Sequence, residues 1–160
     1  MAVVDLMELT AAAPERTPIA GLDLGEKTIG VAVSDIGRSI ASPLALIRRA
    51  KFTADAAALL KLMETRGAAA LVIGLPVNMD GSEGPRAQSA RAFARNLLRR
   101  HDLPIAFWDE RLSTEAVNRM LIDEADASRA RRASVVDKTA AAWILQGALD
   151  RLKMAAAGRG

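Results

Sequence analysis

The stretch Ile19-Ala-Gly-Leu-Asp23-Leu-Gly25-Glu26-Lys27-Thr28-Ile-Gly30-Val-Ala-Val-Ser34 decides the fold. Two apolar runs, Ile19–Leu24 and Thr28–Ser34, flank a short turn that opens on a glycine, the pattern of a β-hairpin. One acid, Asp23, interrupts the first run at its carboxyl end. A carboxylate in an apolar strand end is costly without a partner. An Asx turn into Gly25 is the purely structural alternative.

Outward from the hairpin, Ile40–Ile47 is broken by Pro43 and reads as an edge strand. Thr53 is placed as the cap of a helix from Ala54 to Arg66, stopped by Gly67. Ala69–Leu75 is a continuous apolar run, as expected of a strand covered on both faces. Pro85 opens a helix with Ala90, Phe93, Ala94 and Leu97 on one side. Leu103–Trp108 is a further strand, and Ser113 caps the helix after it. Ser134 is placed as the cap of a long last helix lined by Val136, Ala140, Trp143, Ile144 and Gly147. Strands separated by helices favour parallel pairing. The expected fold is therefore α/β, a mixed five-stranded sheet with three antiparallel strands and then two parallel ones, flanked by helices. Residues 18–154 form the domain, with 1–17 a flexible leader and 155–160 a flexible tail.

Composition narrows the chemistry. The 160 residues are 51% hydrophobic and 26% charged, ordinary values for one globular domain. With no Cys, thiol nucleophiles and zinc fingers are excluded, and a single His, His101, leaves almost nothing for a multi-histidine metal site or a His-centred triad. Any chemistry falls to carboxylates. The 22 Lys and Arg against 19 Asp and Glu leave a small basic excess, concentrated in the middle third around Arg86, Arg91, Arg95, Arg99 and Arg100. Gly67 to Met79, the longest uncharged stretch, is too short to span a membrane and contains Pro76. The acidic start lacks the basic region of a signal peptide, so a cytoplasmic protein is expected.

Open α/β sheets place their sites at the carboxyl ends of strands. Asp23, Asp109 and Glu110 fall there, and opposite side-chain parity leaves room for only one of the last two. Asp137, shortly after Ser134, is a further candidate, with helix capping as its structural alternative. Carboxylates gathered without histidine suit Mg²⁺ or Mn²⁺, and a pair of such ions serves phosphodiester hydrolysis. The Gly74–Pro85 loop offers backbone N–H groups and Asn78 to a phosphate or a 2′-hydroxyl. Arg129, Arg131 and Arg132 are placed in a basic loop before Asp137. Lys27, Arg111 and Lys138, inside the acid-bearing motifs, complete the candidate substrate contacts. Arg91, Arg95 and Arg99 recur every four residues; a solvated helix face is the favoured reading and a track for a nucleic-acid backbone the alternative.

Four blocks in order, Gly21–Asp35, Gly74–Pro85, Trp108–Thr114 and Asp137–Leu145, resemble the YqgF (RuvX) family over residues 18–152. The resemblance implies an RNase H-like fold and a nuclease maturing the 5′ end of pre-16S rRNA. The expected partner is nucleic acid, with pre-rRNA favoured and branched DNA the alternative; a ribosomal precursor particle and a homodimer are further candidates. An older reading of the family is Holliday-junction resolution on branched DNA. The resemblance also implies that Asp23, Glu110 and Asp137 are the catalytic, metal-binding triad. In many RNase H-like nucleases the second acid stands on the strand beside the first. Here that strand ends in Gly74-Leu75-Pro76, and Glu110, one strand further out, takes the role. Two other classes compete. A non-catalytic nucleic-acid-binding module is disfavoured because all three acids are present. An actin-like or sugar-kinase-like ATPase is disfavoured because those enzymes need two such domains.

Overall fold

The hairpin forms where it was expected. β1 (Ile19–Leu24) and β2 (Thr28–Ser34) pair antiparallel, with Asp23 opposite Gly30. The computed structural model describes residues 3–112 and 129–158, and in the second stretch the side chains of residues 140–156. β3 (Ala41–Arg48) pairs antiparallel with β2 and forms one edge of the sheet. Its register shifts beside Pro43, where a bulge tolerates the missing N–H. β4 (Ala70–Leu75) lies parallel to β1, and β5 (Ile105–Asp109) lies parallel to β4. The order β3-β2-β1-β4-β5 is the mixed five-stranded sheet read from the sequence.

Side-chain alternation divides the core in two. Leu22, Val31, Ile73 and Ile105 face α2 (Phe52–Arg66) and α3 (Pro85–Arg100), which contribute Leu59, Phe93 and Leu97. Ile19, Val72, Ala106 and Trp108 face the other way, toward Leu145, Ala148 and Leu149 of the last helix, α4 (Arg129–Gly158). All of these side chains are removed from solvent, and that burial is the main stabilising contribution.

Several expectations are corrected. The segment expected as a leader contains α1 (Leu6–Ala12), whose Leu9 is fully buried in the α4-side core. Just before it, the Val4 N–H donates to the Ile105 carbonyl at 2.8 Å and covers part of the β5 edge. Apolar Leu9 and Ala13 have a sheet face to bury against, and the helix ends just before Pro14. At the other end, α4 runs through positions 155–158 of the expected tail. α2 starts at Phe52 after Lys51, without a side-chain cap from Thr53; buried Asp55 instead accepts the Ala50 N–H at 2.9 Å. Ser134 does not start the last helix, because Arg129 to Lys138 are already helical. The arginines placed in a loop therefore lie on α4, and the capping reading of Asp137 lapses. Trp143 is half-buried beside the core stripe rather than in it. The helix expected from Ser113 lies outside the described residues.

Gly67 ends α2 with φ of 72°, and its N–H and that of Ala68 close the last turn on Glu64 and Met63. An added Cβ at Gly67 would meet nothing within 4 Å. Gly67→Ala is therefore expected to lose about 1 kcal/mol in urea unfolding, from backbone strain alone. An unchanged midpoint would contradict a left-handed cap.

Candidate active site

β1 and β5 bring their acids to the same sheet edge although β4 lies between them. Asp23 shares the β1 face of Gly21, which packs against Leu145 and Ala141 of α4. Glu110 follows β5 as the first residue of a 3₁₀ turn, Glu110–Leu112, and continues the face of Trp108. On β4 the residue at this level is Gly74, paired with Trp108. A Cβ built there would stand 2.9 Å from Glu110 Oε1 and 3.1 Å from its Cγ. The Glu110 side chain thus lies across the bare backbone of Gly74. Only the absence of a side chain on the middle strand lets it reach Asp23.

The two carboxyl groups are in direct contact. Glu110 is hydrogen-bonded to Asp23, and its pKa is raised from 4.5 to about 7. Burial is the largest cause, followed by the charge of Asp23 and the hydrogen bond in which protonated Glu110 donates to it. Arg86, at the start of α3, opposes the shift by favouring the charged form. Two carboxyl groups in contact, one of which keeps its proton up to about pH 7, form a donor set suited to a hard divalent ion.

Asp109 points the other way and has a different task. Its carboxylate accepts from Arg111 Nε at 3.1 and 3.0 Å, from Nη2 at 2.6 Å and from the Arg111 backbone N–H at 3.0 Å. This fork lowers the pKa of Asp109 and closes the turn that presents Glu110. Arg111 Nη1 also reaches the carbonyls of Asn78 and Met79, at 3.3 and 3.4 Å. The strand-end loop and the Glu110 turn are thereby braced against each other.

The other candidates are dispersed. Asn78 uses its amide inside the loop, donating to Ser82 Oγ at 3.0 Å, while Asp80 accepts from the Ser82 N–H and hydroxyl. Lys27 is exposed at the hairpin tip. Arg91 forms a fork with Glu83 and lies 5.0 Å over the Phe107 ring, which leaves it a structural role. The side chains of Arg129, Arg131, Arg132, Asp137 and Lys138 lie outside the described residues. The backbone still orients α4: Gln146 binds Ser39 and Ala41 at the amino-end edge of β1, whereas Ala141 sits at Gly21. Position 137, one turn before Ala141, is therefore toward the edge that holds Asp23. Among the described residues, no group of three or more acids or histidines is arranged to hold a metal.

Sequence reasoning missed Gly74 and Arg86. The first had a signal, since a glycine stands where a neighbouring-strand acid was sought. Arg86 was read only as part of a charge excess, because nothing local shows that α3 starts beside Asp23.

The family model described as "RuvX: Holliday junction resolvase" matches residues 17–151. The chain belongs to the RuvX family. A relative from Phenylobacterium zucineum (strain HLK1), named "Putative pre-16S rRNA nuclease", is 75% identical over 96% of this chain and 99% of its own length. Another with that name, from Caulobacter vibrioides (strain NA1000 / CB15N), is 64% identical over the same shares. Among solved structures, T. thermophilus RuvC in complex with a Holliday junction substrate superposes with TM-score 0.52. It is 13% identical and the match covers 85% of this chain and 96% of that one, a likeness in fold. This RuvX-family chain thus has the RNase H-like architecture expected from its motifs.

Proposed function

We propose that this chain is a metal-dependent nuclease that hydrolyses phosphodiester bonds of pre-16S rRNA during maturation of its 5′ end. The observation that carries the reading is the Asp23–Glu110 pair, joined across Gly74 at the carboxyl edge of the sheet. Its substrate is inferred from relatives that match nearly the whole chain and are named for that RNA.

Asp23, Glu110 and, from α4, Asp137 would hold Mg²⁺ or Mn²⁺, in a two-ion arrangement on this reading. A divalent ion there supplies charge stabilisation to the phosphoryl oxygens and favours an ionised attacking water. The chain's own residues prepare that site. Glu110 gives up the proton it shares with Asp23, and the Asp109–Arg111 fork fixes the turn from which Glu110 projects. Arg86 adds positive charge beside the pair. Lys27, Asn78, Arg129, Arg131, Arg132 and Lys138 are the proposed contacts to the substrate strand. Arg111 acts through Asp109 as a positioning residue. The described helices include none long and apolar enough to cross a membrane. The cytoplasm, where ribosomal precursor particles assemble, is the proposed location.

The family description favours a second reading, resolution of branched DNA by a homodimer cutting symmetrically. A direct comparison separates the two. Purified protein is given the 5′ region of pre-16S rRNA or a four-way DNA junction, each with Mn²⁺ or with EDTA. Metal-dependent cutting of the RNA and an intact junction are expected. Paired cuts in the junction with intact RNA would replace this reading by the resolvase. Tight RNA binding without cutting would replace it by a non-catalytic module.

A further inference from the structure

Beside the acid pair, between the hairpin tip and the first turn of α3, lies a cavity of about 150 Å³. Gly25, Arg49, Pro85, Arg86 and Ser89 line it, with Glu26 at the exposed hairpin tip. It is half or less of the volume typical of a pocket for a drug-sized ligand, roughly 300 Å³ and upward. The space suits one tetrahedral anion rather than a nucleotide.

Two guanidinium groups give it its character. Arg49 Nη1 donates to the Gly25 carbonyl at 2.7 Å, and the Arg49 N–H donates to the Lys27 carbonyl at 2.8 Å, so the residue is fastened to the hairpin. Arg86 Nη2 makes a long contact of 3.4 Å to the Leu24 carbonyl. A guanidinium carries five donors, more than these two contacts use. The start of α3 has no side-chain cap, so its first N–H groups add donors on the same side. The cavity adjoins the acid pair: Leu24 and Gly25 directly follow Asp23, and the charge of Arg86 is felt at Glu110.

We propose that this cavity seats one backbone phosphate of the substrate strand, with Arg49 and Arg86 as its ligands, next to the phosphodiester held at Asp23 and Glu110. The seat rests on the nuclease reading above and deepens it. It fixes the register of the strand on the acid pair, a task for phosphate contacts, which position without reading sequence.

The test measures binding in EDTA, where nothing is cut, with fluorescein-labelled RNA from the 5′ region of the precursor. Arg86→Gln is compared with Arg95→Gln, an exposed arginine further along the same helix. Losing one phosphate contact lowers the salt slope by about one. Between about 50 and 200 mM salt the parent should therefore lose about threefold more affinity than Arg86→Gln. Arg95→Gln should keep the parental slope, and Arg86→Lys should recover it. A series of RNAs, each with one neutral methylphosphonate linkage, then locates the seat. At one linkage position, Arg86→Gln should cause no further loss.

Equal effects of the two glutamine variants would overturn the seat in favour of diffuse attraction. So would a methylphosphonate series without such a position. Saturable binding of inorganic phosphate by RNA-free protein, combined with a flat series, would reassign the cavity to free phosphate. Because binding is read without metal, a protein that cuts nothing still reports on the seat. A protein that cuts normally with Arg86→Gln indistinguishable from Arg95→Gln loses the seat alone.

Discussion

Glu110→Gln will abolish metal-dependent cleavage and, in the metal-free protein, raise stability at alkaline pH. The two effects have opposite signs for one reason. Above its pKa of about 7, Glu110 carries a charge that burial and Asp23 both oppose. In the folded chain that pKa stands above the 4.5 of the free side chain, so the native state binds the proton more tightly than the unfolded one. Its contribution to stability is complete below pH 4.5 and is lost as the pH rises through about 7. The shift corresponds to about 3 kcal/mol at most. Solvent at this half-buried group reduces it to about 2 kcal/mol. Glutamine removes the penalty, so thermal melts in EDTA should show the variant above the parent at about pH 8 and level with it at about pH 4. Mn²⁺ should raise the parent's melting temperature and leave the variant's nearly unchanged. Losing one acid from the site removes several kcal/mol of charge stabilisation, on the order of 100- to 1,000-fold in rate. Asp23→Asn should lose activity to the same degree. Cleavage retained in both variants, or a melting difference independent of pH, would remove the pair from the mechanism.

Gly74→Ala should lower cleavage by about 100-fold, because a displacement of about 1 Å at a reacting centre has that effect. The new methyl would stand 2.5 Å from Ile144 Cδ1 and 2.9 Å from Glu110 Oε1. Both atoms are ends of side chains that can turn away, so the fold should lose only about 1–2 kcal/mol. The turning of Glu110 breaks its contact with Asp23. Gly21→Ala provides the contrast, since its Cβ would meet Leu145 Cβ at 2.8 Å and the Ala141 carbonyl at 3.2 Å. Those atoms move only with α4, so that variant should be the less stable of the two. Normal cleavage by Gly74→Ala would show that Glu110 does not need to cross β4.

Local patterns carried the sheet. The hairpin was legible from two apolar runs around Gly25, β4 from its unbroken apolar stretch and α3 from Pro85 and its periodic alanines. The helix starts at Thr53 and Ser134 were misread because a hydroxyl residue is permitted inside a helix as well as before it. α1 was missed because a seven-residue helix is marginal by itself and forms here by burying Leu9 against the sheet.

The sequence by itself narrowed the candidate chemistry to carboxylates and put the candidate acids at the carboxyl ends of strands. A chain without cysteine and with one histidine leaves carboxylates as the main candidate ligands, and alternation along a strand lets only one of Asp109 and Glu110 face the site. Tertiary structure alone decided which groups meet. Asp23 and Glu110 are joined because an empty position on β4 lies between them, and Arg86 stands beside them because α3 starts at that edge. Each of these depends on strand order and register, which bring together residues far apart in the chain.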